Sequence, residues 1–208
     1  MTILLTGFGR YGREKSNPTS QLIKVLHGRT VGEHKIVGKE LRVSTRDVSK
    51  RLPALIDSMR PILVLGLGLA PRRVHITPER VAVNCSDFSI PDAAGYRPVD
   101  KPIDPLGPVA YFASIPIRKI VNALSKRGIP ASISNTAGAY ICNYTMYTSL
   151  NHIAKRGMKT RSGFIHVLCT PPETAEKSKE SGEQVPSISL DCMKDAILTA
   201  IRISLGPI

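Results

Sequence analysis

The chain contains no tryptophan, few aromatic residues of any kind and no long apolar run. Aromatic residues make up 5% of its 208 residues, and no stretch of about eighteen consecutive apolar residues occurs, so a transmembrane helix is not expected. The opening segment 1–12 has a short apolar run and lacks the basic leader of a secretory signal. These absences predict a cytoplasmic protein that does not interact with a membrane.

The chain also lacks any C-x-x-C pair, although it has four widely spaced cysteines. This spacing argues against a zinc site and against a dense disulfide framework. In a reducing compartment, each cysteine is then either a small buried apolar residue or a reactive thiol. The candidates for a reactive thiol are Cys85, Cys142, Cys169 and Cys192.

Acidic side chains are scarce, with 16 Asp and Glu against 29 Lys and Arg, which gives a net charge of +13. An excess of this kind is one mark of nucleic-acid-binding proteins. The basic residues are scattered, however, and the dense runs are as short as Arg72-Arg73 and Lys155-Arg156. No recognition helix, zinc finger or aromatic RNA-binding signature accompanies them. A solvated basic surface is therefore favoured, and a nucleic-acid partner is not expected despite the charge.

Short aliphatic runs alternate with segments of helical periodicity along the chain. This alternation predicts an α/β fold: a single three-layer α/β/α domain over residues 1–208, with a twisted, mainly parallel (mixed) sheet and helices on both faces. Strands are expected at 2–6, 35–43, 62–67, 131–134 and 163–168, with an extended segment at 74–83. Helices are expected from Asn17-Pro18 to Gly28 and at 48–59, 115–127, 143–156 and 192–205. Segment 86–108 is expected to be irregular, and segment 174–186 to be a mobile loop or a frayed helix.

Residues Gly7 to Gly12 match the pattern G-x-G-x-x-G directly after the first expected strand. In a dinucleotide-binding fold, such glycines bring a pyrophosphate to a helix that begins at the motif itself. Here the helix signal comes only at Pro18, and no acidic residue ends the second expected strand. We therefore reject a dinucleotide site and interpret the segment as a glycine-rich loop that presents the rings of Phe8 and Tyr11.

Cys142 has the best setting for nucleophilic chemistry among the four cysteines. A strand is expected to end near Ser134, a loop of small residues follows, and Cys142 falls where the next helix begins. The positive end of the helix macrodipole favours a thiolate at such a position, and the free N–H groups of the first turn can bind an oxyanion. Cys169, just after an expected strand, is the one rival.

A thiol nucleophile needs a base, and histidine is the usual one. His166 lies in an otherwise apolar strand, where a histidine is ordinarily a hydrogen-bonded core residue. Glu79 is an acid in a largely apolar segment, and its alternative role is an ion pair with Arg80 or another local base. Spacing alone does not show that Cys142, His166 and Glu79 meet. The other histidines are His27, His34, His75 and His152.

Four ordered blocks resemble the pyroglutamyl peptidase I family (pyrrolidone-carboxylate peptidases), which are cysteine peptidases with a Cys-His-Glu triad. The likeness spans nearly the whole chain. The blocks are Thr6-Gly7-Phe8 through Asn17-Pro18-Thr19, Pro78 through Asn84, Ser134 through Gly138 with Cys142-Asn143-Tyr144, and Ser162 through Val167. A further family element is matched by Ile90-Pro91-Asp92.

The resemblance implies a peptidase that removes N-terminal pyroglutamate from peptides through a covalent acyl-thioester, without a metal or an organic cofactor. Cys142 is then the nucleophile, His166 the base, and Glu79 the residue that orients the imidazole. The partners it implies are N-pyroglutamyl peptides and further copies of the chain, in a homotetramer or homodimer. The implied substrate-binding residues are Phe8, Tyr11, Asn17, Ile90, Tyr140 and Ile141.

Three positions depart from the family pattern. Tyr11 stands where phenylalanine is usual, Ser89 where many members carry an arginine that assists the oxyanion, and Arg72 where glycine is usual. We hypothesise that Arg72 partly replaces the charge missing at Ser89. Tyr11 and Ser89 leave open a cysteine hydrolase of another cyclic or N-acyl amide. The charge of +13 leaves open a non-catalytic, RNA-associated protein.

Overall fold

The computed structural model describes residues 1–12 and 15–206, and a six-stranded mixed sheet forms its centre. The strands of this sheet are β1 (Thr2–Phe8), β2 (Thr30–Val31), β3 (His34–Leu41), β4 (Leu63–Leu69), β5 (Thr77–Pro78) and β8 (Arg161–Val167). Their order is β2-β3-β1-β4-β8-β5, in which the central strands β3, β1, β4 and β8 are parallel and the two edge strands antiparallel. A separate antiparallel pair consists of β6 (Val81–Val83) and β7 (Ala110–Phe112). The predicted mainly parallel, mixed sheet is confirmed.

Helices cover both faces of the sheet. They are α1 (Pro18–Leu26), α2 (Thr45–Met59), α3 (Ile117–Lys126), α4 (Ile141–Lys155), α5 (Pro171–Ser181) and α6 (Leu190–Leu205). Because successive strand residues point to opposite faces, Ile3 and Leu5 join one core with α1, α3 and α6. Leu4 between them belongs to a second core with α2 and α4. Two cores separated by one sheet confirm the α/β fold with helices on both faces.

Segment 174–186, expected to be a mobile loop or a frayed helix, is helical as far as the end of α5 (Pro171–Ser181) and irregular after it. The helix begins with a capping box in which the side chains of Thr170 and Glu173 satisfy each other's backbone N–H groups, and it ends at Gly182 with φ of 68°. Its stability comes from its ends, which a search for an apolar stripe does not detect.

Segment 131–134 does not form a strand either. Ala131 and Ser134 make single parallel bridges to Ile76 and Glu79, and the chain between them is irregular. The short strands β2 and β7 were not predicted, since two or three residues give no periodicity to detect. Helix α4 begins at Ile141, two residues before the expected start, and so includes Cys142 in its first turn.

The carboxyl ends of the parallel strands define one edge of the sheet. Phe8 is the last residue of β1, and Gly68 and His166 are the next-to-last residues of β4 and β8. Ligand sites in open α/β sheets form at this edge. Within the part of the chain that the structure describes, no helix is long and apolar enough to cross a bilayer.

Candidate active site

The position of Cys142 follows from the start of α4. Tyr140 is the N-cap residue, with extended backbone angles of φ −91° and ψ −161°, and Cys142 is the second helical residue. The first N–H groups of a helix have no partner within the helix, so this turn can offer donors to a bound group. Asn143, fully buried, fixes this turn: its side-chain oxygen accepts from the N–H of Val83 at 2.9 Å, and its amide donates to the carbonyls of Val83 and Cys85 at 2.9 and 3.0 Å.

The antiparallel pairing of β5 with β8 brings Glu79 to His166. Thr77 lies opposite His166 in the register, and the N–H of Glu79 donates to the carbonyl of Phe164 at 2.9 Å. Because alternate residues of an extended segment share a face, Glu79 lies on the same side as Thr77 and His166. Its Oε1 is 2.7 Å from Nδ1 of His166. Both side chains are buried, with relative exposures of 0% for Glu79 and 5% for His166.

Gly68 shows that the sulfur of Cys142 and the imidazole of His166 are neighbours. In the register of β4 with β8, Gly68 lies opposite His166. A methyl group on its α-carbon would lie 2.9 Å from Sγ of Cys142 and 2.9 Å from Cδ2 of His166. Cδ2 is bonded to Nε2, the ring nitrogen that is not engaged by Glu79. The structure therefore brings Cys142, His166 and Glu79 into one cluster, in that order.

The ionisation of Cys142 differs from the sequence-based expectation. Burial raises the pKa of the Cys142 thiol to about 12, and the charge of Glu79 adds to the rise, against a lowering by Arg73. Burial also lowers the pKa of His166 below its ordinary value, although its bond to Glu79 opposes this. Both shifts favour the neutral forms, a thiol beside a neutral imidazole, whereas the position of Cys142 in the first turn of a helix favours a thiolate.

Arg73 is the local base that pairs with Glu79. Its Nη1 donates to Oε1 of Glu79 and to Oγ1 of Thr77, each at 2.5 Å, and its Nη2 donates to the carbonyl of Thr136 at 2.9 Å. Burial raises the pKa of Glu79, but the hydrogen bond and charge of His166 and the hydrogen bond from Arg73 outweigh it, so the pKa lies below its usual value. Glu79 is thus a carboxylate that binds both the imidazole and a guanidinium.

Three of the predicted substrate-binding residues converge on the segment that contains Pro91. The hydroxyls of Tyr11 and Tyr140 both donate to the carbonyl of Pro91, the second at 3.1 Å. Phe88 packs edge-on against the ring of Tyr140 with ring centroids 4.6 Å apart. Ile90, next to Pro91, leaves 52% of its surface exposed. The glycine-rich loop and the segment that leads to Cys142 therefore meet at one carbonyl.

The other predicted substrate-binding residues have structural contacts. Phe8 and Ile141 are buried in the core under α2 and α4, with relative exposures of 3% and 2%. Asn17 caps α1: its oxygen accepts from the N–H of Thr19 at 3.0 Å, and its amide donates to the carbonyl of Gly9 at 3.2 Å. Asn17 therefore anchors the glycine-rich loop.

The structure gives Arg72 a contact away from the triad. Its side chain is 87% exposed, and its Nε lies 3.3 Å from Oε1 of Glu183. Ser89 is also exposed. The cation whose charge acts on Cys142 is Arg73. The pairing with Glu183 therefore gives no support to the hypothesis that Arg72 replaces a charge at Ser89.

Sequence reasoning missed four groups that build this site. Gly68 makes room for the sulfur, Arg73 binds Glu79, Asn143 fixes the first turn of α4, and Phe88 backs Tyr140. Asn143 lies in a block that carries the family resemblance, but no pattern assigns its contacts. Among residues 1–12 and 15–206, no group of three or more His, Cys, Asp or Glu side chains is placed to hold a metal ion.

Comparison with known proteins places the chain among relatives of one family. The profile of the family described as "Pyroglutamyl peptidase" matches residues 1–206. The pyrrolidone-carboxylate peptidase of Pyrococcus furiosus is 42% identical over 205 residues, covering 99% of this chain and 98% of the relative. That of Bacillus cytotoxicus is 37% identical over 204 residues, covering 98% and 93%. A crystal structure of a mutant pyrrolidone carboxyl peptidase from P. furiosus superimposes with a TM-score of 0.95 at 41% identity, covering 99% of this chain and 98% of that one. The Thermococcus litoralis structure gives a TM-score of 0.93 at 39% identity, covering 98% and 93%.

Proposed function

The chain belongs to the pyroglutamyl peptidase family and is a cysteine peptidase that removes N-terminal pyroglutamate, and from this premise we propose that Cys142, His166 and Glu79 perform its chemistry. The observation that carries the proposal is the position of the imidazole. Its Nδ1 is bonded to Glu79 at 2.7 Å, and its opposite edge lies beside Sγ of Cys142. This is the order of nucleophile, base and orienting acid that activates a thiol.

The reaction proceeds in two acyl transfers. Sγ of Cys142 attacks the carbonyl carbon of the pyroglutamyl residue while Nε2 of His166 takes the thiol proton. The free N–H groups in the first turn of α4 stabilise the oxyanion. His166 then gives its proton to the leaving amine, and a pyroglutamyl thioester remains on Cys142. Water attacks the thioester, His166 takes its proton, and the thiol is restored as pyroglutamate leaves.

The buried carboxylate of Glu79 supports the charged stage of this cycle. Because Cys142 and His166 are both neutral before the reaction, an imidazolium exists only between removal of the thiol proton and its transfer to the leaving amine. Glu79, whose pKa lies below its usual value, stays ionised throughout and stabilises that imidazolium. Its bond to Nδ1 also fixes the tautomer, which leaves on Nε2 the lone pair that takes the thiol proton.

The substrate pocket lies where the rings of Tyr11 and Tyr140 meet Pro91, with Phe8, Ile90 and Ile141 as apolar neighbours. A pyroglutamyl ring is small, flat and uncharged, so aromatic faces hold it by apolar and π contact. Asn17 contributes by holding the loop that carries Tyr11. Backbone groups near Tyr140 and Ile141 read the lactam, and a ring without the lactam carbonyl, such as proline, leaves those donors unpaired.

Release of an aromatic amine from a pyroglutamyl amide tests the assignment. We expect Cys142→Ser and His166→Ala each to lower kcat/KM by at least about 1,000-fold, and Glu79→Gln by about 100- to 10,000-fold. Cys192→Ser serves as the matched control, because that thiol lies on α6. Hydrolysis by Cys142→Ser at the wild-type rate would remove Cys142 from its role. Faster cleavage of a prolyl amide than of the pyroglutamyl amide would favour another hydrolase.

We further propose that the protein is a cytoplasmic homo-oligomer, a tetramer or a dimer, that does not bind nucleic acid. Exposed apolar side chains near β7 support an interface between copies: Leu106, Val109 and Phe112 are 93%, 87% and 74% exposed. A free catalytic thiol is compatible with a reducing compartment. Light scattering gives the oligomeric state. Filter binding of RNA at two salt concentrations tests whether the protein binds nucleic acid, since phosphate contacts weaken steeply with salt.

A further inference from the structure

Arg73 contacts the triad without being one of its members. Resting on the function proposed above, we propose that Arg73 is a positioning residue of the reaction: it ties Glu79 to the segment before Cys142 and sets the pH at which His166 becomes a base. The guanidinium has no place in the transfer of protons or acyl groups. Its effect on the chemistry passes through Glu79 and through its own charge.

The contacts of Arg73 link three segments of the site. Nη1 donates to Thr77 in β5 and to Glu79 two residues on, and Nη2 donates to the carbonyl of Thr136. Ser134 donates from its hydroxyl to the same Thr136 carbonyl at 3.0 Å, in the loop that leads to Cys142. A guanidinium has several donors in a fixed plane. The Arg73 side chain thus holds the segment that carries Glu79 at a fixed distance from the loop that leads to Cys142.

The sharing of one carboxylate oxygen gives Arg73 its second effect. Oε1 of Glu79 accepts from both Arg73 and His166, while Oε2 is buried and has no hydrogen-bond partner among the described residues. Arg73 therefore offsets part of the negative charge that would otherwise hold a proton on His166. The side chain of Arg73 is 29% exposed, so solvent screens its charge only in part.

Among the residues that the structure describes, none of the groups that the neighbouring elements place against His166 is a cation, so the positive charge that acts on its imidazole is that of Arg73. The segment that follows β5 supplies Glu79, α4 supplies Cys142, β4 supplies Gly68, and β8 itself supplies the ring of Phe164 at a centroid distance of 5.1 Å. Of these, Glu79 carries the negative charge, and the glycine and the phenyl ring do not titrate. Burial is the largest cause of the lowered pKa of His166, and the charge of Arg73 lowers it further. For Cys142, the charge of Arg73 opposes the rise in pKa that burial causes.

The sign of the effect on pH dependence follows. His166 must be neutral to take the thiol proton, so kcat/KM falls as the pH drops through the pKa of His166. That pKa lies below its ordinary value, which places the acid limb of the wild-type profile below about pH 6.5. Removing the charge of Arg73 raises the pKa, so the acid limb moves to higher pH, by about one unit.

The test compares pH profiles of kcat/KM for the wild type, Arg73→Gln and Arg73→Lys, with thermal melts to show that each variant folds. Arg73→Gln keeps a donor and loses the charge. We expect kcat/KM of this variant to begin its fall toward acid pH about one pH unit higher than in the wild type. At acid pH, its activity relative to the wild type should then be about tenfold lower than at pH 8. Arg73→Lys keeps the charge but not the planar fork. We expect its limb at the wild-type pH and its kcat lowered, since a point charge does not reproduce both contacts.

Three results separate the possible outcomes. Equal acid limbs in the wild type and Arg73→Gln would overturn the proposal, even if the variant melts at a lower temperature. If the acid limb of the pH profile moves as far in Arg73→Lys as in Arg73→Gln, the charge argument is overturned. Arg73→Met replaces Arg73→Gln in this comparison if the latter does not fold. Cys142→Ser, assayed in parallel at pH 8, tests the proposed triad separately, because full activity in that variant contradicts the triad whatever Arg73 does.

Discussion

At the scale of single residues, burial and the helix N-terminus act in opposite directions on the thiol of Cys142. A helix N-terminus favours a thiolate by roughly 0.3–1 kcal/mol at exposed sites, whereas burial raises the thiol pKa of Cys142 to about 12. In the proposed mechanism, the nucleophile is therefore generated during the reaction by transfer of the Cys142 proton to His166. This explains why the base must remain neutral, and why the cation beside Glu79 matters.

The hydroxyl of Tyr11 is the feature that distinguishes its ring from phenylalanine. It donates to the carbonyl of Pro91, which also accepts from Tyr140. We expect Tyr11→Phe to raise KM for a pyroglutamyl amide by about two- to tenfold with kcat little changed, because one hydrogen bond that holds the pocket wall is lost.

Steady-state kinetics with Tyr111→Phe as the matched control tests this prediction. Tyr111 also donates a phenol hydrogen bond, to Asn151 at 3.0 Å, but it lies in β7. Unchanged KM in Tyr11→Phe, or an equal rise in Tyr111→Phe, would show that the Tyr11 hydroxyl does not support the pocket.

Sequence patterns pointed to the three residues proposed for catalysis but not to the groups that contact them. Cys142, His166 and Glu79 were each recognisable from residue type and local setting, and the family resemblance joined them. Arg73 is six positions before Glu79, and its contact depends on the extended course of β5. The amide of Asn143 pairs with residues about sixty positions away. Such contacts exist only in the folded chain.

At the scale of elements, the geometry of the site depends on two strand pairings. The antiparallel register of β5 with β8 puts Glu79 on the face of His166. The parallel register of β4 with β8 puts Gly68 opposite His166 and leaves room for the sulfur. A shift of one residue in either register would turn the side chains to the other face of the sheet.

Gly68→Ala tests the importance of this space. The added methyl group would lie 2.7 Å from Cε1 of Phe164 and 2.9 Å from both Sγ of Cys142 and Cδ2 of His166, so these side chains must shift. We expect kcat/KM to fall by at least about 100-fold, since displacements near 1 Å have this effect on catalytic geometry.

Gly163→Ala is the matched control for overpacking. Gly163 lies in β8 on the opposite face from His166, where a methyl group would meet Cδ1 of Ile115 at 2.3 Å. It should lower the free energy of unfolding by about 1–3 kcal/mol while kcat/KM of the folded protein stays within a few-fold of wild type. Equal losses of activity in the two variants would show that packing in general, and not space at the triad, is responsible.

The predicted helices and strands match the structure where the apolar periodicity extends over many residues. They differ from it where capping or single bridges determine the local structure. The strands at β1, β3, β4 and β8 and the helices other than α5 follow the apolar pattern. Helix α5 depends on the caps at Thr170 and Gly182, and segment 131–134 pairs by single bridges with residues on either side of Pro78. Capping geometry and isolated bridges leave little trace in hydrophobic periodicity.

At the scale of the whole molecule, the site lies where the carboxyl ends of three parallel strands meet. The alternation of strands and helices predicted the α/β class and the two-sided cover, because both follow from where apolar residues are buried. The order of the strands was not predictable from one sequence, since each pairing is a contact between distant segments. The assignment of residues 1–208 to one domain stays a prediction, and nothing in the fold accounts for the charge of +13.

The central claim is that Cys142 carries the acyl group, and intact-mass spectrometry of an acid-quenched reaction tests it most directly. With a pyroglutamyl aromatic amide in excess, the wild type should show a pyroglutamyl adduct that peptide mapping places on Cys142 and that hydroxylamine removes. Glu79→Gln, in which acyl transfer to the thiol is slowed, should form the same adduct more slowly, and Cys142→Ala should form none. An adduct on another residue, or turnover at the wild-type rate by Cys142→Ala, would contradict the account.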